Sequence, residues 1–208
     1  MLQDIGILHY LICYAVGHIC GSIPSGLWIV KLLYGIDIRE YGSKNIGTTN
    51  VFRTVGWQTA LLVLLGDVLK GLLIVILVNH LFHNPGLNVA TALGAFLGHS
   101  YSVFLNFKGG KGVATGIGII IFIMPKVAVA VTLVWLVIVL ATRYVSLGSI
   151  IAAMAAPLFA WYFGCPLPYV LLTLFAAVVI VLRHHENISR LLHGTEGKIK
   201  PGHMQKSK

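Results

Sequence analysis

The chain has 208 residues, of which 57% are hydrophobic and only 10% are charged, whereas an average soluble domain carries roughly a quarter charged residues. This composition excludes a soluble globular protein. A net charge of +9 would suggest nucleic-acid binding in a soluble chain, but here the basic residues lie at the edges of long apolar runs. Membrane lipid, and not nucleic acid, is therefore the expected partner.

Seven apolar runs approach the roughly 20 residues that a transmembrane helix needs. They span about 5–33, 57–82, 87–105, 112–124, 126–142, 145–163 and 167–183. The first run contains a break at Gly21–Gly26, and the fourth is so short that we expect neighbouring helices to shield it. The sequence therefore predicts one membrane domain over residues 1–208, an all-α integral membrane protein with a compact bundle of seven transmembrane helices and a tail over 184–208.

Residues 1–4 carry no basic region of the kind that begins a cleavable signal peptide, so the first helix is expected to stay in the protein. With the N-terminus outside, twelve of the 15 Lys and Arg residues fall on the cytoplasmic side, among them Lys200, Lys206 and Lys208 of the tail. Because basic residues in short loops favour the cytoplasm, we expect the C-terminus inside. An odd number of spans also disfavours a transporter made of two inverted halves.

Small residues inside the apolar runs predict close packing of helices. Three glycine pairs have the GxxxG spacing that lets two backbones approach; they are Gly17/Gly21, Gly94/Gly98 and Gly112/Gly116. Asp67 and Lys70 lie three residues apart in the second run, on one face of the helix. An ion pair inside a membrane is costly, so both a structural and a functional role are open for this pair.

Four polar clusters interrupt the apolar background, all on the side assigned to the cytoplasm. The first, between the first two spans, runs from Gly42 to Arg53 and contains Ser43, Asn45 and Asn50. Its small residues let the backbone approach a ligand, and Arg53 offers a planar fork suited to phosphate. The pattern indicates an anion-binding loop, although clusters rich in glycine and asparagine also mark ordinary loops.

The second cluster, Phe107–Thr115, places Gly109, Gly110 and Lys111 just before a helix. A helix N-terminus presents free N–H groups to an anion, and Lys111 adds a full charge. The cluster is not a Walker A loop, because Gly112 occupies the place of the residue whose hydroxyl binds magnesium. We expect phosphate binding without nucleotide hydrolysis; the alternative is that the lysines only mark the cytoplasmic side.

The third cluster is the turn before the sixth run, where Ser146 and Ser149 either face a site or bond to their own helix. The fourth follows the last run, where His184 and Asn187 share a helical face. A histidine in this position can act as a general base near neutral pH. The alternative is a helix at the membrane edge whose polar residues are interfacial.

Absent motifs narrow the chemistry further. No His is followed by an Asp five positions later, so the HxxxxD pair of glycerolipid acyltransferases that use thioesters is missing. The three cysteines lack metal-binding spacing and the acids are too dispersed for a two-metal site. No metal or cofactor is expected.

With these clusters placed, the chain resembles the bacterial acyl-phosphate:glycerol-3-phosphate acyltransferases, the PlsY family. The segments that carry the resemblance are Gly21-Ser22-Ile23-Pro24-Ser25-Gly26, Gly42–Arg53, Gly98-His99 with Val103–Thr115, and His184–Glu196. The resemblance implies a seven-helix membrane fold with a site facing the cytoplasm. It further implies transfer of a fatty acyl group from acyl phosphate to the 1-hydroxyl of sn-glycerol 3-phosphate, giving lysophosphatidic acid and phosphate.

The family's functional residues map onto three segments of this chain. Ser43, Asn45 and Arg53 match its first motif, His184 and Asn187 match its third, and Glu196 matches an acid regarded as mainly structural. Between them, Gly109, Gly110 and Lys111 match the glycine-rich loop that binds the phosphate of glycerol 3-phosphate. This sequence departs from the family at Lys44 and Thr48, where Gly and Ala are commoner, and at His185, where Arg is usual.

These assignments predict a mechanism. Arg53, Lys111 and the glycine-loop amides are expected to hold phosphates, and either His184 or a bound phosphate oxygen is expected to accept the proton. The residues expected to orient or bind the substrates are Ser43, Asn45, Asn50, Ser146, Ser149 and Asn187. The expected location is the bacterial inner membrane, with functional coupling to the enzyme that makes acyl phosphate. The alternative function is a transporter or exchanger of phosphorylated anions, whose site would lie near the bilayer midplane.

Overall fold

The computed structural model describes residues 5–199, and within that range the chain is helical, without strands. The α-helices are α1 Ile7–Ser22, α2 Ser25–Tyr34, α3 Thr48–Thr54, α4 Trp57–Phe82, α5 Pro85–Ser100, α6 Val113–Ile123, α7 Pro125–Thr142, α8 Val145–Tyr162, α9 Leu167–Arg183 and α10 His185–Leu192, with 3-10 helices at Ile38–Glu40 and Val103–Leu105. The expectation for residues 1–4 and the basic residues Lys200, Lys206 and Lys208 lie outside the described residues, as does the tail from 200 to 208.

Four helical units between residues 5 and 199 are long and apolar enough to cross a bilayer: α1 with α2, α4, α7 and α8. A fifth arises if α9 and α10, which meet at 59°, are counted together. The remaining α5 and α6 have 16 and 11 residues, fewer than the roughly 20 that a perpendicular crossing needs. The all-helical prediction is confirmed, whereas the count of seven spans and the orientation stay predictions.

The first apolar run is two helices and not one. Pro24 has no N–H group and its ring disfavours a helical conformation at the preceding residue, so α1 ends at Ser22 and α2 begins at Ser25. The backbone carbonyl of Ile23 accepts a 2.8 Å hydrogen bond from Nζ of Lys70. The break therefore falls inside the predicted segment, and a side chain from α4 satisfies a carbonyl that it frees.

The predicted ion pair forms at this break. Nζ of Lys70 lies 2.8 Å from Oδ1 of Asp67, and both side chains are buried. Nδ1 of His99, at the end of α5, lies 3.5 Å from the same carboxylate oxygen. Because Lys70 also holds the break between α1 and α2, the pair joins α4 to two other helices, which is a structural role.

Glycines bring α1 and α5 into backbone contact. A Cβ atom built on Gly17 or Gly21 would collide with the backbone of Thr91 or Ala95 of α5, and one on Gly94 or Gly98 with that of α1. The GxxxG prediction is thus confirmed for these two pairs, which face each other.

For the third pair, Gly112/Gly116, the prediction of helix packing is wrong. Gly112 precedes α6 with φ +83°, and a Cβ on Gly116 would meet only the ring of Phe96 at 3.9 Å. The contact between α4 and α6 uses Gly71 and Gly118 instead, since a Cβ on either would collide with a backbone carbonyl of the other helix.

The short helix α6 lies in the interior, where neighbouring helices shield it, as its length led us to expect. Its buried residues are Thr115, Gly118, Ile119 and Ile120, and Ile121 alone among its eleven residues is exposed. With α4 packed on one side of it and α7 following directly in the chain, α6 presents its N-terminus to a cavity beside α8 and α9.

We predict that Gly21→Ala destabilises the protein, because the new methyl group has no space at the backbone of Ala95. Overpacking of this kind typically costs about 1–3 kcal/mol, so the apparent Tm in detergent should fall by several degrees. The control is Gly116→Ala, whose methyl group would have ordinary contact with Phe96. Equal loss of stability in both variants would contradict the assigned packing.

Candidate active site

A cavity of 430 Å³ lies among α3, α4, α6, α7, α8 and α9. The predicted site residues that line it are Ser43, Asn45, Asn50, Arg53, Asp67, Lys111, Ser146, Ser149, His184, Asn187 and Glu196. The three that do not line it are Gly109, Gly110 and Lys70. Clusters that are far apart in the sequence therefore meet in one place.

Asn50 shapes the loop before α3 through hydrogen bonds of its side-chain amide. Its Oδ1 accepts the N–H of Ser43 at 2.9 Å, and its Nδ2 donates to the carbonyls of Ile38, Tyr41 and Asn45 at 3.3, 3.1 and 2.8 Å. The side chain is 2% exposed. These contacts favour a structural role for Asn50 over its predicted role as a substrate-binding residue.

The departure at Lys44 has a conformational consequence. Lys44 adopts φ +58°, a left-handed conformation that glycine tolerates without cost and most other residues do not. This explains why glycine, which the resemblance makes the commoner residue here, suits the position. The lysine side chain is exposed and does not line the cavity.

The backbone of Gly109 and Gly110 is already fully hydrogen-bonded. Their N–H groups donate to the carbonyls of Ser100 and His99 at 3.2 and 2.9 Å, and their own carbonyls accept from Arg183. A Cβ on Gly110 would collide with the His99 ring, and one on Gly109 with the His99 carbonyl. These contacts favour a structural role for the two glycines, close packing on α5, over the predicted binding of phosphate by their amides.

Groups that could bind an anion lie one step further along the chain. Lys111, Gly112, Val113 and Ala114 all line the cavity, and the first N–H groups of a helix have no intrahelical partner. The start of α6 therefore presents unpaired donors and the positive end of its dipole beside a lysine.

A chain of hydrogen bonds connects Lys111 to the C-terminal segment. Nζ of Lys111 donates to Oδ1 of Asn187, and Nδ2 of Asn187 donates to Oε1 of Glu196 at 2.8 Å. The Glu196 carboxylate also accepts from Ser146 at 2.7 Å and from Arg190 at 2.7 Å. This network fixes the orientation of the Asn187 amide, because its oxygen faces a cation and its nitrogen faces a carboxylate.

Two pKa values follow from this environment. Burial, reinforced by the charge of Arg190, lowers the pKa of Lys111 to about 8. Burial alone would raise the pKa of Glu196, but donation from Arg190, Ser146 and Asn187 outweighs it and the pKa is lowered. At pH 7 Lys111 is thus mostly a cation and Glu196 a carboxylate.

His184 is buried at the end of α9, and its Nδ1–H donates to the carbonyl of Ile180 at 2.8 Å. A carbonyl only accepts, so Nδ1 carries the proton and Nε2 has a free lone pair. Burial and the nearby charge of Lys111 lower the pKa of His184 to about 4, so the ring is neutral at pH 7. The neighbouring His185 is exposed and does not line the cavity, so of these two histidines His184 is the one at the site; His99 of α5 also lines the cavity.

Arg53 reaches the cavity from α3. Its Nη2 donates to the carbonyl of Gly197 at 2.5 Å, while its buried Nε has no partner among the described residues. Burial lowers the pKa of Arg53, but a guanidinium stays charged at any physiological pH. The segment around Gly197 continues to Ile199, whose N–H donates to the carbonyl of Arg143 at 2.8 Å. This segment closes one side of the cavity, and no sequence pattern indicated it.

The inner part of the cavity is apolar and lined by small side chains. Its residues on α8 and α9 are Ala152, Ala153, Ala156, Thr173, Ala176, Ala177 and Ile180, with Val131, Thr132 and Trp135 from α7. Along α8 the lining extends from Val145 to Ala156, about 16 Å at 1.5 Å per residue. The sequence carries a signal for this part that its analysis did not use: alanines three and four positions apart on α8, and small residues with the same spacing on α9, namely Thr173, Ala176 and Ala177.

The two serines of the third cluster have different partners. Ser146 donates to Glu196, as described above, whereas Ser149 donates to the carbonyl of Val145 in its own helix at 2.9 Å. Ser149 also accepts from Nε1 of Trp135 at 3.3 Å. Both alternatives hold for Ser149, because it bonds to its own helix and also lines the cavity.

Taken together, the cavity has one end with cations and free donors and another that is apolar. Arg53, Lys111 and the start of α6 can hold one or more phosphate groups. The apolar part can hold a hydrocarbon chain. An amphiphile with a phosphate group is the ligand that satisfies both ends.

Comparison with known proteins agrees with this chemistry. A family model described as glycerol-3-phosphate acyltransferase matches residues 11–194. A glycerol-3-phosphate acyltransferase of Geobacter sulfurreducens is 47% identical over 194 residues, which cover 93% of this chain and 99% of that protein. One of Syntrophomonas wolfei is 46% identical over 198 residues, covering 95% and 98%.

Solved structures give the same result. The crystal structure of PlsY (YgiH), described as an integral membrane glycerol 3-phosphate acyltransferase, matches in its glycerol 3-phosphate form with a TM-score of 0.86 and 41% identity, over 92% of this chain and 96% of that chain. Its lysophosphatidic acid form matches with a TM-score of 0.84 and 40% identity over the same shares.

We predict that Glu196→Ala lowers stability, because it leaves the donors of Ser146, Asn187 and Arg190 without their buried acceptor. Removing one partner of a buried charge pair costs about 3 kcal/mol, so the apparent Tm should fall by several degrees. Glu186→Ala is the matched control, since Glu186 is exposed and its contact with the same Arg190 is longer, at 3.7 Å. A larger loss in the control would contradict the network.

Proposed function

Since the chain belongs to the glycerol-3-phosphate acyltransferase family, we propose that this membrane enzyme transfers a fatty acyl group from acyl phosphate to the 1-hydroxyl of sn-glycerol 3-phosphate. The products are 1-acyl-sn-glycerol 3-phosphate, which is lysophosphatidic acid, and inorganic phosphate. The observation that carries this proposal is the cavity that joins a cationic end to an apolar one. Acyl phosphate has a phosphate group for the cationic end and a hydrocarbon chain for the apolar end, whereas glycerol 3-phosphate needs only the cationic end.

The cationic groups bind the phosphates. Lys111 and the first N–H groups of α6 hold the phosphate of glycerol 3-phosphate, and Arg53, with its unpaired Nε, holds that of the donor. Ser43 supports this assignment, because its hydroxyl has no hydrogen-bond partner between residues 5 and 199 and it lines the cavity. Positioning and neutralising both phosphates is the main catalytic contribution.

The remaining polar residues orient the groups that react. Asn45 and Ser146 line the cavity beside Ser43 and Glu196, and Asn187 holds the amine of Lys111. Gly109, Gly110 and Asn50 act as structural residues in this scheme. The apolar part between α8 and α9 receives the acyl chain, so the anhydride carbon lies where the two ends of the cavity meet.

The reaction needs a nucleophile and a destination for one proton. The 1-hydroxyl oxygen attacks the acyl carbon, the bond from that carbon to the phosphate oxygen breaks, and phosphate leaves with the electron pair. A ring nitrogen with a pKa of about 4 is a weak base, so the hydroxyl proton passes to the leaving phosphate. Before attack, the free Nε2 of His184 accepts the hydrogen bond of the hydroxyl and so orients its oxygen; as the new carbon–oxygen bond forms, the proton leaves this hydrogen bond for the departing phosphate.

We also propose the arrangement in the membrane. The chain crosses seven times as a single domain, with its N-terminus outside and its C-terminus in the cytoplasm. The distribution of Lys and Arg supports this orientation, and Arg53, Lys111 and Arg190 lie at the same ends of the helices as the cavity's polar part. The site then faces the cytoplasm from the inner membrane of a bacterium, where it can receive its donor from the enzyme that makes acyl phosphate.

We predict that purified protein in lipid converts palmitoyl phosphate and labelled glycerol 3-phosphate into labelled lysophosphatidic acid. Lys111→Ala should reduce kcat/KM for glycerol 3-phosphate about a hundredfold or more, because it removes a buried charge from the acceptor phosphate. Lys108→Ala is the control: Lys108 is exposed, outside the cavity and in the same connection. No product from folded protein would refute the proposal and favour a transporter of phosphorylated anions, which uptake into liposomes would detect.

Two further arms of this assay test the donor and the proton acceptor. Palmitoyl-CoA in place of palmitoyl phosphate should give no product. His184→Gln keeps an acceptor oxygen, so its kcat should stay within about tenfold of the wild type, whereas loss of a true general base costs about 10²–10⁴. A loss in that larger range would assign the proton to His184.

We predict that activity declines in alkaline solution, because Lys111 is the charged form only below its pKa of about 8. As the pH rises above that value, kcat/KM for glycerol 3-phosphate should fall about tenfold per unit. In Lys111→Arg the guanidinium keeps its charge, so the residual activity should lack this decline. The measurement is a pH profile corrected for hydrolysis of the donor without enzyme, and the same decline in both proteins would contradict the assignment.

A further inference from the structure

The turn formed by Gly109, Gly110 and Lys111 carries the acceptor-binding lysine, yet its first two residues do not touch the cavity. Glycine is the most flexible residue and loses the most conformational freedom when it is fixed. Two glycines directly before Lys111 would leave its backbone poorly placed unless other groups held them. The position of Lys111 therefore depends on what holds this glycine turn.

Arg183, the last residue of α9, holds the turn from one side. Its Nη2 donates to the carbonyl of Gly109 at 2.7 Å, and its Nε donates to the carbonyl of Gly110 at 3.1 Å. Its guanidinium lies over the ring of Tyr101, 5.3 Å from the centroid, a distance typical of a cation–π contact. The planar guanidinium thus bridges two successive carbonyls and has its own position fixed by an aromatic ring.

The end of α5 holds the turn from the other side. The carbonyls of His99 and Ser100 accept the N–H groups of Gly110 and Gly109. These are carbonyls at a helix C-terminus, which have no intrahelical partner. Every backbone donor and acceptor of the two glycines is therefore satisfied by the chain itself, and Arg183 supplies both bonds to the carbonyls.

The segment of α9 and α10 that contains Arg183 also fixes the side chain of Lys111. Asn187 of α10 accepts from Nζ of Lys111, and only His184 lies between α10 and Arg183 at the end of α9. The backbone before Lys111 and the amine at its tip are thus anchored to one short stretch of chain. Arg183 itself does not line the cavity, so it has no direct contact with a ligand there.

We propose that Arg183 is a positioning residue for acceptor binding, which acts by clamping the glycine turn so that Lys111 meets the phosphate of glycerol 3-phosphate. This inference rests on the proposed function. Its consequence is that the shape of the arginine side chain matters and not only its charge. Lysine has a single amine on a flexible stem and lacks the rigid fork that reaches both carbonyls.

The experiment measures KM for glycerol 3-phosphate and kcat in Arg183→Met and Arg183→Lys. We expect Arg183→Met to raise KM about tenfold or more with kcat changed less than threefold, and Arg183→Lys to recover only part of that loss. Arg143→Met is the control for charge, because the exposed side chain of Arg143 has no partner within residues 5–199. It should leave KM within twofold of the wild type.

A double-mutant cycle separates positioning from general stability. Once Lys111→Gln has removed the cation, adding Arg183→Met should raise KM less than twofold further, since residues that act through one contact are not additive. If turnover is too low to measure, the same cycle is read from the rise in Tm that glycerol 3-phosphate produces.

Three results would overturn the inference: additive effects in the cycle, full recovery by Arg183→Lys, or a loss confined to kcat. An inactive wild type would instead refute the proposed function, so the two failures can be told apart. If Arg183→Met does not fold, Arg183→Lys and its cycle with Lys111→Gln still decide the question, because the lysine variant retains the charge beside Tyr101.

Discussion

The hydrogen-bond chain from Lys111 through Asn187 to Glu196 is the interaction on which the geometry of the site depends. It connects the turn before α6, the start of α10 and the segment after it, and Ser146 adds α8. A buried carboxylate is tolerated only when donors surround it, and a buried amine only when acceptors or an anion do. Each group here compensates for the burial of the others, so the four segments can meet in only one arrangement.

Much of the fold was visible in the sequence because membrane helices obey simple constraints. Long apolar runs, a proline that interrupts the first of them and two pairs of glycines that need contact with another backbone all act locally. The outcome for Gly112 shows the limit of such a pattern. The same spacing occurs there, but the glycine serves the start of a helix with a positive φ, and the spacing alone does not distinguish the two uses.

The site was predictable as a set of polar clusters but not in the roles of individual residues. Asn50 and the pair Gly109–Gly110 have the right chemistry for a ligand, yet their polar groups are used up within the chain. Whether an amide is free depends on contacts between distant segments, and a sequence does not display those contacts. The apolar part of the cavity was not predicted for a related reason: alanines such as Ala152 and Ala176 line a cavity only when α8 and α9 lie side by side.

Closure of the cavity by Glu196, Gly197 and Ile199 has a consequence for biosynthesis. A ribosome makes these residues after α1 to α10, so all ten α-helices between residues 5 and 199 have been synthesised before the site can be completed. Before that point Arg53 and Lys111 are present, but the Glu196 carboxylate that orders Asn187 and the Gly197 carbonyl that holds Arg53 are not. The nascent chain can thus gain an ordered centre for chemistry only after the segment from Glu196 to Ile199 has been made.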